Sequence, residues 1–166
     1  MSIKRLFTSA APPVPPFRMI AFSLIGTVLA IGVLSWLNLH SGAIWLMAPF
    51  GASCVLAFAV PDSPLAQPRN IIGGHVIATL AGLVALHVLG DSWWVGAIAV
   101  GFALTLMQIT RTLHAPAGAN PLVVIAAHAP FSFLFTPVLT GSIVIVAIAW
   151  LMNNARSKNS YPRYWK

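Results

Sequence analysis

The sequence predicts an all-α, polytopic membrane protein of about six membrane segments, arranged as two inverted three-segment repeats. Three observations lead there. Hydrophobic residues make up 58% of the 166 residues and charged residues only 7%, against roughly 25% charged in soluble domains. Residues 19–61, 70–90, 92–110 and 112–155 contain no Asp, Glu, Lys or Arg. A crossing needs about 20 apolar residues, so these stretches read as two, one, one and two crossings. Finally, Ala48-Pro49-Phe50-Gly51-Ala52-Ser53 matches Ala115-Pro116-Ala117-Gly118-Ala119-Asn120 at an offset of 67 residues.

In chain order, residues 1–18 form a basic, proline-rich tail carrying Lys4, Arg5 and Arg18. Pro12, Pro13, Pro15 and Pro16 stand where a signal peptide would need its apolar core. The membrane domain spans 19–153, with repeat units at about 19–90 and 93–153. The first segment, Met19–Asn38, is smoothly apolar. The second, Ser41–Val60, holds Pro49 and Gly51. A polar turn rich in proline follows at 64–70, and the third segment is Ile71–Gly90. Trp93–Thr110 is the fourth. The fifth, Ala115–Pro130, is short and carries Pro116, Gly118, Pro121 and Pro130. Pro137–Asn153 is the sixth, before a second basic tail at 154–166. Proline removes a backbone donor and breaks the preceding turn, so segments two and five are expected to be broken helices.

Starting the chain inside and letting all six segments cross puts all nine Lys and Arg residues on one face and Asp91 on the other. This is what the positive-inside rule favours. Letting segments two and five dip in and return would leave Arg69 and Arg111 outside. The expected location is the bacterial inner (plasma) membrane, with both termini cytoplasmic. The basic residues flank apolar runs rather than forming a patch, which speaks against nucleic acid as a partner. Cys54 is the sole cysteine, so no intrachain disulfide can form.

Broken backbone at membrane depth persists only where protein buries it or where it lines a polar cavity, so the two motifs are the expected site. Pro49 and Pro116 open helices whose first N–H groups lack intrahelical partners. Gly51 and Gly118, each followed by an alanine (Ala52, Ala119), permit close approach, and Ser53 and Asn120 add polar side chains. A helix N-terminus attracts anions, and inverted repeats would aim two such ends at one point. The expected cargo is a small anion.

The run from Ala48 through Ser63-Pro-Leu-Ala-Gln-Pro-Arg-Asn-Ile-Ile-Gly-Gly-His75, with His114-Ala-Pro-Ala-Gly-Ala-Asn-Pro-Leu122, resembles the HPP family of integral membrane proteins. The likeness covers about residues 20–152. The family takes its name from a His-Pro-Pro triplet, which here reads His114-Ala115-Pro116. The resemblance implies a small membrane protein with cyanobacterial and plastid relatives linked to nitrite transport, and so names nitrite as the ion. The family is usually described with four spans; the charge distribution favours six.

Individual residues carry two readings each. Arg69 is a loop cation or an anion attractor at the inner mouth, with Gln67 and Asn70 as donors; Asp62 is a candidate ion partner for it. Arg111 is a snorkelling cation or a charge beside the second motif. His75 and His114 are structural, or they donate to an anion or accept a proton. His40, His87 and His128 are interfacial. No His, Cys, Asp or Glu cluster has metal-ligand spacing, so neither metal nor cofactor is expected. Gly74, Ala78 and Gly82, and more weakly Ala97 and Gly101, form small-residue ridges for helix packing, and a chain this short suggests a homodimer or larger homo-oligomer. The expected function is permeation of a small inorganic anion, nitrite first. The alternatives are a non-transporting membrane subunit and an intramembrane enzyme using His114, His75 and Ser53.

Overall fold

The computed structural model describes residues 12–165, and among them every regular element is helical. Lys4, Arg5 and Lys166 of the expected basic tails lie outside the described residues. Helix α1, Phe17–His40, follows Pro16, whose carbonyl accepts the first turn's N–H groups. Its 24 residues give about 36 Å at 1.5 Å per residue, more than the ~30 Å hydrocarbon core. Ser41 and Gly42 (φ +69°) end it. The chain then returns extended, pinned where Trp45 donates from its backbone N to Asn38 Oδ1 (3.0 Å) and from Nε1 to Ser41 Oγ (2.7 Å).

The second segment is therefore helical over only part of the expected Ser41–Val60. Helix α2 runs Ala48–Cys54 and continues through one wide π turn, Val55–Ala59, before Pro61 stops it. A 3₁₀ turn at Pro64–Ala66, capped by Ser63, leads into α3, Pro68–Leu89. Gly90 (φ +79°) ends α3, and α4 spans Val95–Ile109. The fifth segment starts as a 3₁₀ turn, Ala115–Ala119, and becomes α5, Asn120–Ala126. After a 3₁₀ turn at Phe131–Leu134 and a π turn at Phe135–Leu139, with Thr136 non-helical, α6 covers Thr140–Arg156. The sixth helix thus reaches beyond the expected Asn153, and Pro137 lies inside its irregular lead-in.

Three stretches, Phe17–His40, Pro68–Leu89 and Phe131–Arg156, are long and apolar enough to cross a membrane. The remaining three, Ala48–Ala59, Val95–Ile109 and Ala115–Ala126, are shorter. The two proline motifs share one local form. Met47 and His114 are extended immediately before each, and a proline stands in the first turn.

Helix α3 is the hub, packing on α4, α5 and α6 and touching both broken segments. Its small residues face inward: Gly74, Ala78 and Gly82 are all buried. A Cβ on Gly82 would stand 2.7 Å from Pro121 Cα, and one on Gly74 would stand 2.6 Å from His114 Cβ. The ridge read from the sequence therefore packs within this chain, against residues 112–121. The weaker one does not: a Cβ on Gly101 would meet nothing within 4 Å, and Ala97 is exposed. Leu34, Phe50, Phe58, Ile71, Leu83 and Ile145 fill the main core. Leu24, Val28, Ile98, Phe102 and Leu151 face outward, the surface a lipid environment calls for.

Candidate functional site

At the centre, α2, α3 and the second proline motif bring four polar side chains together. Ser53, His75, His114 and Asn120 are all completely buried, with Thr79 beside them. Ser53 is on the second turn of α2, and its Oγ lies 2.8 Å from Nε2 of both His75 and His114. The rings sit edge to face, centroids 5.0 Å apart, and Phe50 closes over His75 at 5.2 Å. Gly141 makes room for this: a Cβ there would collide with the Phe50 ring. Asn120 Nδ2 reaches Thr79 Oγ1 (2.8 Å), His75 Nδ1 (3.0 Å) and the His75 carbonyl (3.1 Å).

The protons in this cluster can be placed by elimination. The Leu65 carbonyl, 2.7 Å from His114 Nδ1, can only accept. Neutral His114 therefore carries its proton on Nδ1, and its Nε2 accepts from the Ser53 hydroxyl. That uses the one Ser53 proton, so His75 Nε2–H donates to Ser53 Oγ. His75 Nδ1 is left as an acceptor for Asn120 Nδ2–H. Every bond runs the same way, from Asn120 through His75, Ser53 and His114 to Leu65. Oriented chains of this kind polarise and strengthen one another in a low dielectric.

The 64–66 turn below His114 is held from both sides. The Pro64 carbonyl accepts from the Tyr164 hydroxyl (3.0 Å), Leu65 from His114, and Ala66 from the Tyr161 hydroxyl (2.8 Å). Burial pushes the Tyr161 phenol pKa above its ordinary range. Arg163 donates from its backbone N to Gln67 Oε1 (2.7 Å) and pairs through its guanidinium with Asp62 (2.6 Å). The C-terminal segment is thus folded against the turn.

The expected site residues divide into two groups. His75, His114, Ser53 and Asn120 converge, with Pro49 and Pro116 buried beside them; the Pro49 carbonyl lies 3.2 Å from Ser53 Oγ. Gly51, Ala52 and Ala119 instead face outward, and Gly118 has nothing within 4 Å of where a Cβ would sit. On α2 the reason is helical periodicity: Pro49, Phe50, Ser53 and Cys54 share the inward face, which leaves Gly51 and Ala52 pointing out. Arg111 is exposed at positive φ (58°). Arg69 donates from Nη2 to the Thr110 carbonyl (2.9 Å) and does not meet Asp62, whose partner is Arg163. Gln67 and Asn70 are buried and hydrogen-bonded internally: Gln67 Nε2 donates to the Pro61 carbonyl and Asn70 Nδ2 to the Leu113 carbonyl. His128 pairs with Asp91 at 2.9 Å on the surface; its hydrogen bond holds the Asp91 carboxyl below the ordinary range. Among the described residues, no group of three or more His, Cys, Asp or Glu could hold a metal.

Sequence reasoning missed Thr79, the Leu65 carbonyl and the tyrosine contacts. Thr79, one helical turn after His75, had a signal in its i+4 spacing on α3. Main-chain acceptors and a tail that folds back leave none.

The family description HPP, transmembrane region, matches residues 12–162. Two proteins of Dictyostelium discoideum, each named as a transmembrane protein, are similar along most of this chain. One is 36% identical, covering 93% of this chain and 58% of that protein; the other is 32% identical, covering 88% and 51%. The chain therefore spans between half and three-fifths of the relatives it matches. No solved structure matches it. On these grounds the chain belongs to the HPP family of transmembrane proteins.

Proposed function

We propose that this chain moves a small polar solute across the membrane, with a small inorganic anion, nitrite first, as the cargo. The observation that carries the reading is the Ser53–His75–His114–Asn120 cluster, set where two broken helices meet the most enclosed helix. Polar side chains are costly at membrane depth and mark solute or ion paths. The cluster holds no carboxylate to repel an anion, and its N–H and O–H groups would exchange their internal partners for the ion. Nitrite comes from the family resemblance. Gly51, Ala52, Gly118 and Ala119 would act from the opposite face of the same helices, and Arg69 and Arg111 as attracting charges at the inner mouth.

The topology we propose is six crossings as two inverted three-segment units, with both termini cytoplasmic. The matching extended residue and proline turn at Met47–Pro49 and His114–Pro116 support it, as does the one-sided placement of Lys and Arg. The short Ala48–Ala59 and Ala115–Ala126 stretches reach only about 18 Å each. Their outward small residues suit a second copy packed against them, which supports a homo-oligomer. The same surface favours the second reading, a non-transporting subunit that docks a partner there. Ser53 and His114 have the reach of a nucleophile and base. Transport is preferred to catalysis because that hydroxyl is enclosed and shared between two rings.

The test is nitrite uptake by liposomes holding the purified protein, at alkaline pH, with protein-free liposomes correcting for permeation of nitrous acid. Saturable, protein-dependent uptake with competition by other small anions is expected. Uptake no faster than the protein-free control, from folded protein, would remove nitrite as cargo.

A further inference from the structure

We infer that His75, Ser53 and His114 form a proton relay, and that passage of one proton along it loosens the 64–66 turn. The inference rests on the transport reading for its physiological use, but the relay itself is read from the hydrogen bonds. It needs three things: adjoining groups that both bind and release protons, hydrogen-bond contact between them, and one direction. Imidazole and hydroxyl meet the first. The two 2.8 Å contacts on Ser53 Oγ meet the second. The Leu65 carbonyl, by fixing His114, meets the third.

A proton from water arrives at Nδ1 of His75, the unprotonated nitrogen that otherwise accepts from Asn120 Nδ2–H. His75 releases the proton on Nε2 to Ser53 Oγ, whose own proton passes to His114 Nε2. His114 then releases the proton on Nδ1 to a water molecule that reaches the ring as the Leu65 carbonyl parts from it. One proton enters, one leaves, and each of the three side chains ends with as many protons as it started with. Asn120 suits the incoming end, since its Oδ1 lies 3.3 Å from His75 Nδ1. Turned over, the amide accepts from the newly protonated ring instead of donating to it.

At the outgoing end the product state reverses one contact. His114 Nδ1 now carries a lone pair that faces the lone pairs of the Leu65 carbonyl across a 2.7 Å gap. An attraction becomes a repulsion, and the turn must part from the ring or admit a donor. The flanking carbonyls of that turn, Pro64 and Ala66, are tied to Tyr164 and Tyr161, so the displacement is delivered to the folded-back C-terminal segment. Among the described residues no carboxylate, lysine or arginine hydrogen-bonds any member of the relay. The other titratable groups close to it are Cys54, next to Ser53, and the two tyrosines on the turn.

The experiment places the full chain in liposomes containing a pH-reporting dye, with a potassium-set membrane potential, and records lumenal pH with and without nitrite. Protein-dependent proton movement that slows in heavy water is expected. It should fall about a hundredfold in Ser53→Ala, the scale of losing one positioned proton-transfer group, and return in Ser53→Thr, which keeps the hydroxyl. Proton movement without any nitrite dependence would support the relay while showing that it is not coupled to nitrite. Nitrite uptake with no proton movement, equal in wild type and Ser53→Ala, would overturn the relay and leave transport standing. No proton movement under either condition, from protein shown to be folded, would overturn the relay too.

Discussion

Leu65 and His114 lie 49 residues apart in the chain and meet at 2.7 Å, carbonyl oxygen to Nδ1. That one contact determines the protonation pattern of everything behind it, because a carbonyl accepts and never donates. Nitrogen-15 spectra of histidine-labelled protein should therefore show opposite tautomers: Nδ1–H for His114 and Nε2–H for His75. Finding both rings in the same tautomer would refute the assigned chain of donors.

Ser53 is the shared partner of both rings, so removing its hydroxyl orphans a donor on His75 and an acceptor on His114 together. Each buried, unpaired polar group costs about 1–3 kcal/mol. Ser53→Ala should lower stability by at least about 2 kcal/mol, read as a reduced thermal or denaturant midpoint in detergent. A change under about 0.5 kcal/mol, the range of an ordinary surface substitution, would mean the three side chains are not in contact.

How far the sequence disclosed this arrangement depends on what kind of signal each part leaves. Membrane class was legible because charge is excluded from hydrocarbon, and the gaps between charges are long. His75, Ser53, His114 and Asn120 were singled out because each sits in or beside a proline- or glycine-marked stretch. The ridge at Gly74 and Gly82 was legible from four-residue spacing, but not whether it packs inside the protomer or between two of them. What was not legible depends on long-range geometry. Asp62 pairs with Arg163, 101 residues away, rather than with Arg69 seven residues on, since a tail that folds back cannot be read from composition. The outward aim of Gly51 and Ala119 follows from helix phase, which the motif's resemblance to an anion-binding turn obscured.

The tail contacts divide into a buried one and exposed ones, and should respond differently. Tyr161→Phe leaves the buried Ala66 carbonyl without its donor, a loss of about 1–3 kcal/mol. Arg163→Ala removes an exposed ion pair, worth under about 1 kcal/mol. The phenol adds a pH signature. Its folded pKa is raised by burial, so its contribution is fully present below the unfolded value of about 10 and is lost as pH rises through the higher folded value. Wild type should lose more stability than Tyr161→Phe when thermal midpoints are followed above about pH 10; parallel curves would count against burial of that phenol.

Two glycines that the sequence marks for different reasons should behave in opposite ways. A Cβ on Gly74 would lie 2.6 Å from His114 Cβ and 2.9 Å from the Thr112 carbonyl oxygen, and the latter is main chain with little room to give. Gly74→Ala should therefore push α3 away from the second proline motif, costing about 1–3 kcal/mol as overpacking does, and disturb the His75–His114 contact in the nitrogen-15 spectra. Gly51 has open space where its Cβ would go, so Gly51→Ala should leave protomer stability within about 0.5 kcal/mol. If the outward face of α2 packs against a second copy, the added methyl groups will instead appear in the mass of the detergent-solubilised assembly. A Gly51→Ala protein that is destabilised as strongly as Gly74→Ala, at unchanged assembly mass, would mean that α2 is rotated from the orientation described.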